Sequence, residues 1–357
     1  MTAGSHQSSR GRTYLRVAGL PLMIESYELE GLERPWSPEF TRLSTVVRLR
    51  GAGLEGVGED VTYTPQDHVV FQSQGVHLPL AGSYTLASFA ARLDDLDLFP
   101  VGPQRNDSRA HRLWAFESAA VDLALRQAGL SLAAALEREP APLSFVVSLR
   151  LPEPPGLEPV LSRLALYPGM RFKLDATASW DEGLIAELRA TGAIGCVDFK
   201  GYYEGTPVDS AADAGLYERV ATGLPGVWLE DPARTPETEA VIAAHVERVT
   251  WDAPIGSVAD VASLPVRPRM VNVKPSRFGT LRGVLDAYDY LAVNSIDAYG
   301  GGQFELGPGR GQIQYLAALF HPAAPNDVAP GGFHEVRAGL PVSPLVPGPP
   351  KVGFGWD

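Results

Sequence analysis

"VNVKPSRFG" (271–279) closes an apolar run with Lys274, directly before a proline. The chain holds only four lysines, Lys173, Lys200, Lys274 and Lys351; every other basic residue is arginine. Such a bias points to a GC-rich coding background, in which a surface lysine drifts readily to arginine. A lysine kept at the end of a strand then suggests a task that arginine cannot perform. Arginine stays protonated at any ordinary pH, whereas a buried lysine can lose its proton near neutrality.

Six further short apolar runs share the pattern of the first: "SFVVSLRL" (144–151), "MRFKLDA" (170–176), "IGCVDFKG" (194–201), "GVWLEDP" (226–232), "RVTWDAP" (248–254) and "YLAVNSIDAYG" (290–300). They recur every roughly 20 to 30 residues, room for one strand, one helix and two loops. Helix signals fall between them. "SWDE" (179–182) has capping-box form, "TPETE" (235–239) places Thr235 at an N-cap with proline next, and Gly192 and Gly223 stand where helices should stop. Seven such units in series predict an α/β fold of TIM-barrel type, not an open sheet. No eighth strand is visible in the sequence.

The rest of the chain frames this repeat. Residues 1–12 are polar and predict a disordered tail, neither signal peptide nor membrane anchor. Residues 13–90 read as strands and turns, and 111–136 as one or two amphipathic helices, so 13–140 predicts an α+β domain. The barrel spans 141–325. From 326 to 357 the chain is rich in Pro and Gly and is expected to run back over the first domain; Asn326–Asp327 suits a turn.

Composition narrows the function. Forty-five per cent hydrophobic and 20% charged residues suit a globular protein, and a formal charge of −12 disfavours a nucleic-acid partner. No stretch holds the ~18 unbroken apolar residues of a membrane span. Cys196 is the only cysteine, so no disulfide framework exists and a cytoplasmic location is expected.

The polar residues at successive strand ends carry the chemistry: Lys173 and Asp175, Asp198 and Lys200, Glu230 and Asp231, Asp252, then Lys274. Chemistry in such barrels sits at the C-terminal strand ends. Asp198, Glu230 and Asp252 lie on three consecutive strands, and each can offer an oxygen to one hard divalent ion. No Cys/His cluster competes for zinc. Lys173 and Lys274 flank the trio on the second and sixth strands, which face each other across a closed barrel. A partly buried lysine there can act as a base, or can merely pair with the carboxylates.

"FKLDA", "VDFKG", "WLEDP", "TWDAP" and "NVKPSRFG" resemble the motifs of the enolase superfamily, more closely its muconate lactonizing enzyme branch than its mandelate racemase branch. The resemblance covers nearly the whole chain and implies a modified TIM-type (β/α)7β barrel with an N-terminal α+β capping domain. It implies Mg²⁺ on Asp198, Glu230 and Asp252, and a lysine removing the proton next to a substrate carboxylate while the ion stabilises the enolate. Two departures stand out. The usual Lys-x-Lys of the second strand is here Lys173-x-Asp175, which leaves Lys274 as the expected proton-transfer residue. That leaves Lys173 to bind the substrate carboxylate, with Asp175 holding it or acting as a weak base. Lys200, where a small polar residue is usual, either supplies the missing ammonium group or pairs with Asp175.

The expected activity is an isomerase, cycloisomerase or racemase of a small carboxylate in a homo-oligomer. Two alternatives stay open: an acid-sugar dehydratase (disfavoured by the lack of histidine near the seventh strand) and a metal-binding barrel without turnover. Trp36 in "LERPWSPEF" and Glu305 and Arg310 in "GGGQFELGPGRG" are candidate substrate contacts, and the glycine-rich amides ahead of "QIQYLAALF" can bind an anion.

Overall fold

The computed structural model describes residues 12–37, 40–206, 208–348 and 351–356. The tail expected over 1–12 lies outside them, apart from Arg12, which opens a helix. That helix, α1 (Arg12–Ala18), overturns the strand expected at its start. Tyr14 and Val17, three apart, are buried, and Thr13 caps the contact by bonding Asp289 through its hydroxyl at 2.5 Å and its amide at 3.1 Å. Tertiary packing here overrides the β preference of "TYLRV".

The first domain is built on an antiparallel meander. Strands β2 (Ser26–Ser37), β3 (Phe40–Gly51) and β4 (Leu54–Asp60) pair in order, and β1 (Pro21–Ile24) pairs with β5 (Gly82–Thr85). Helices α2 (Pro65–Gln74), α3 (Leu86–Asp94) and α4 (Ser108–Ala128) cover one face. Contact with α4 is close enough to require glycine. A Cβ on Gly56 would lie 2.3 Å from the Leu123 amide nitrogen, and one on Gly58 2.1 Å from the Ala115 carbonyl oxygen. The helical stretch read as one or two helices is two: α4 stops at left-handed Gly129, and a short helix follows at Leu132–Leu136.

The second domain is a curled sheet of seven parallel strands in sequential order: β6 (Val147–Arg150), β7 (Phe172–Asp175), β8 (Ile194–Asp198), β9 (Trp228–Glu230), β10 (Val249–Trp251), β11 (Met270–Val273) and β12 (Asp297–Gly300). A helix follows each strand except that a short extra one, Pro275–Phe278, begins right after Lys274. The strands are apolar because both faces are covered: Phe172, Val197, Val271 and Val273 are fully buried, each contributing about 1.5–3 kcal/mol. Two helix starts differ from expectation. Asp181, not Ser179, caps Glu182–Thr191 by accepting from the Leu184 amide at 2.8 Å, and Glu239–Ala244 starts after Thr238 instead of Thr235.

The stave invisible in the sequence is Asn326–Asp327. The Asn326 carbonyl accepts from Val146 at 2.8 Å, beside β6, and the Asp327 amide donates to Gly300 at 2.8 Å, at the end of β12. Two residues thus close the ring. The Asn326 side chain locks the seam: its Oδ1 accepts from the Gly300 amide at 2.6 Å and its Nδ2 donates to the carbonyls of Ser144, His321 and Ala324 at 3.0 Å. This pair is a barrel element, not the turn expected of it. Beyond it the chain returns to the first domain, where the Phe354 amide donates to Asp122 Oδ1 at 2.7 Å.

Candidate active site

Strand register sets the site. Asp175, Asp198 and Glu230 are neighbours in one row at the ends of β7, β8 and β9. Thr250 pairs with Glu230, so Asp252 lies just past the end of β10. One oxygen each from Asp198, Glu230 and Asp252 falls within 4.8 Å of the others, and all three residues are at most 1% exposed.

The lysines converge on this trio. Lys173 Nζ bonds Glu230 and lies 3.2 Å from Asp198 Oδ2. Lys274 Nζ, at the end of β11 next to the stave of Asp252, donates to Asp252 Oδ2 at 2.8 Å. Lys200, in the left-handed region at φ 55°, turns back over the strand end and places Nζ 2.5 Å from Asp198 Oδ2 and 3.3 Å from Asp175 Oδ1. Of its two expected roles, pairing across adjacent strands is the geometry seen. Asp175 accordingly faces Lys200 and makes no ion pair with Lys173 among the described residues.

Electrostatics divides these groups. Burial opposes the charged forms of Asp198 and Asp252. For Asp198, Lys200 and Lys173 outweigh it, and for Asp252, Arg277 and Lys274 do, so both carboxyls stay below the usual range. Glu230 goes the other way. Burial, with Asp198, Asp252 and Asp231 nearby, pushes it well above the ordinary value despite Lys173. Burial would strip Lys173 of its proton, but Glu230 and Asp198 hold it charged. For Lys274 burial prevails over Asp252, aided by Arg277 and Lys173, and its pKa falls. A cage of oxygen atoms in which one carboxylate cannot comfortably ionise beside two others fits a hard divalent cation.

Several contributors escaped the sequence. Asp327, on the closing stave, lies 3.7 Å from Lys173 Nζ. Tyr299 on β12 donates to Glu230 Oε2 at 2.5 Å, and Tyr203 donates to Asp252 Oδ2 at 3.2 Å. Arg277, three residues past Lys274, pairs with Asp252 Oδ1 at 2.8 Å. Asp231, at φ 48°, accepts from the amides of Asp252 and Ala253 at 2.8 Å and so fixes the turn that presents Asp252. Asn272 is 1% exposed, and neither atom of its amide group has a partner. Asp231 stood in the sequence at its strand end beside Glu230; of the others, only the Lys-Pro-Ser-Arg run gave any sign, through Arg277.

The amides of the glycine-rich loop do meet an anion. Those at Leu306, Gly307 and Gly309 donate to Glu59 of the first domain at 2.7, 3.0 and 3.0 Å. The anion at that helix N-terminus is therefore internal. Arg42 clamps the same loop, donating to the carbonyls of Gln303 and Phe304 at 2.9 and 3.2 Å. Glu305 and Arg310 pair with one another at 2.9 Å, while Gly301 lies against Lys274 and Asn272. The side chain of Trp36 lies outside the described residues.

Solved structures share this arrangement of domains. The chain superimposes on a dipeptide epimerase from Enterococcus faecalis V583 with a TM-score of 0.68 at 16% identity, covering 94% of this chain and 99% of that one. A dipeptide epimerase from Methylococcus capsulatus, complexed with a magnesium ion, gives 0.67 at 20% identity, covering 94% and 100%. Muconate cycloisomerase from Pseudomonas fluorescens gives 0.64 at 18%, covering 86% and 87%. The fold is thus that of the enolase superfamily. No curated relative matches by sequence. The family described as domain of unknown function DUF8230 matches in both its parts, the N-terminal domain over residues 15–135 and the C-terminal domain over 139–335. The chain belongs to the DUF8230 family, which here carries the capped barrel of the enolase superfamily.

Proposed function

We propose that this protein is an enzyme that moves the proton on the carbon next to a carboxylate, with Mg²⁺ held by Asp198, Glu230 and Asp252. The observation that carries this reading is the meeting of three buried carboxylates with two lysine side chains, Lys173 from β7 and Lys274 from β11. When bound, the cation supplies electrostatic stabilisation of the charge that develops on the carboxylate oxygens.

Lys274 is the base. Burial favours its neutral amine, and the short helix beginning at Pro275 fixes its backbone. Its Nζ takes the proton, becomes the ammonium and pairs with Asp252. Lys173, kept charged, attracts the substrate carboxylate and stands ready to return a proton from the other face. Return from Lys274 preserves configuration; return from Lys173 inverts it. Racemisation, epimerisation or cycloisomerisation of a small carboxylate follows from this pair. Fold relatives include dipeptide epimerases and a muconate cycloisomerase, which agrees with that class. A histidine-dependent dehydration is disfavoured, since β11 and β12 carry no histidine.

The test is solvent exchange. The magnesium-loaded protein in D₂O, given a panel of carboxylates, is expected to place deuterium on the carbon next to the carboxylate of at least one. Absence of exchange across a broad panel would replace turnover with ligand binding alone.

A further inference from the structure

We propose that a cavity at the opposite end of the barrel binds a small zwitterion with an aromatic body, of the aromatic amino-acid class. The cavity holds about 590 Å³, within the roughly 300–1,000 Å³ of small-ligand sites. Its floor is formed by Trp228, Met270 and Asp297, the first residues of β9, β11 and β12. Lys274 lies four residues past Met270, roughly 13 Å along the strand direction at about 3.3 Å per residue. The cavity is therefore separate from the carboxylate trio.

Its walls suit a flat apolar group. The Tyr288 and Phe320 rings stack at 4.1 Å with 12° between planes, and the Arg138 guanidinium lies 4.2 Å over Phe320. Most polar atoms are already engaged. The Tyr288 hydroxyl donates to His321 Nε2 at 3.0 Å, while His321 Nδ1 donates to Asn326 Oδ1 at 2.7 Å, an assignment that uses both ring nitrogens. Two opposite charges remain. Arg138 is exposed and makes one long bond, 3.3 Å to the Leu319 carbonyl; Asp297 is exposed too, and neither forms an ion pair among the described residues. A lone anion would meet Asp297 and a lone cation would meet Arg138. A molecule carrying both charges on an aromatic frame satisfies both and fills the apolar wall.

Calorimetry on the full chain with L-phenylalanine, 3-phenylpropionate and phenethylamine tests the site. L-Phenylalanine is expected to bind at one site per chain, with each single-charge analogue at least about tenfold weaker. Arg138→Gln and Asp297→Asn should each give the same loss for L-phenylalanine with unchanged melting temperature, and Lys274→Met should bind it as well as the parent. Three results overturn the proposal: no heat at millimolar L-phenylalanine, equal binding of all three compounds, or loss of binding in Lys274→Met.

Discussion

Lys200 Nζ stands 3.3 Å from Asp175 Oδ1 on the neighbouring strand, and both side chains are only 13% exposed. One ammonium group, carried two residues past the end of β8, thus serves carboxylates of β7 and β8 together. Lys200→Met should leave Asp175 buried beside Asp198 without its counter-charge and lower stability by about 3 kcal/mol. Adding Asp175→Asn should recover much of that loss. Denaturant unfolding of the double-mutant cycle checks this coupling; purely additive losses would show that the two groups do not act as a pair.

Glu230 meets Lys173, Tyr299 and Cys196 as well as the space between Asp198 and Asp252. Glu230→Gln removes a charged oxygen from the trio while keeping its shape. Magnesium affinity by calorimetry should drop at least about tenfold. An unchanged titration would exclude Glu230 from the ion's shell.

Lys274→Met should abolish deuterium exchange while leaving magnesium affinity nearly intact. Gly301→Ala probes the same amine without touching it chemically, because a Cβ there would lie 2.5 Å from Lys274 Cε. The displaced lysine should lower the exchange rate by roughly a hundredfold. Full exchange in both variants would remove Lys274 from proton transfer.

Glu117, on α4, is 2% exposed, and its Oε1 has no partner. Burial, with a smaller push from Asp94, raises its pKa to about 8. The folded chain therefore holds a proton that the unfolded chain releases near pH 4, so Glu117 costs stability progressively from about pH 4 to pH 8. Glu117→Gln should flatten that decline and raise stability at pH 8 by on the order of 3 kcal/mol. Denaturant unfolding across this pH range measures it; parallel curves for the two proteins would contradict the burial of an uncharged acid.

The barrel was legible because each stave is an apolar run ending in a charge, and that contrast survives in a single sequence. Asp198, Glu230 and Asp252 could be found from it. Asp327 could not, since its stave makes only two bridging bonds and "PND" has the chemistry of a turn. Glu59 was equally hidden: a strand carboxylate reads as surface until the loop at 306–309 is folded onto it. Helix α1 was lost to its β-type composition, because its helicity rests on packing. What the sequence omits is contact made across long separations.

The most direct test is a crystal grown with magnesium. One ion about 2.0–2.1 Å from an oxygen of each of Asp198, Glu230 and Asp252 is the expected result. An ion held elsewhere, or these three carboxylates turned away from a common point with magnesium present, would contradict the shared-cation site.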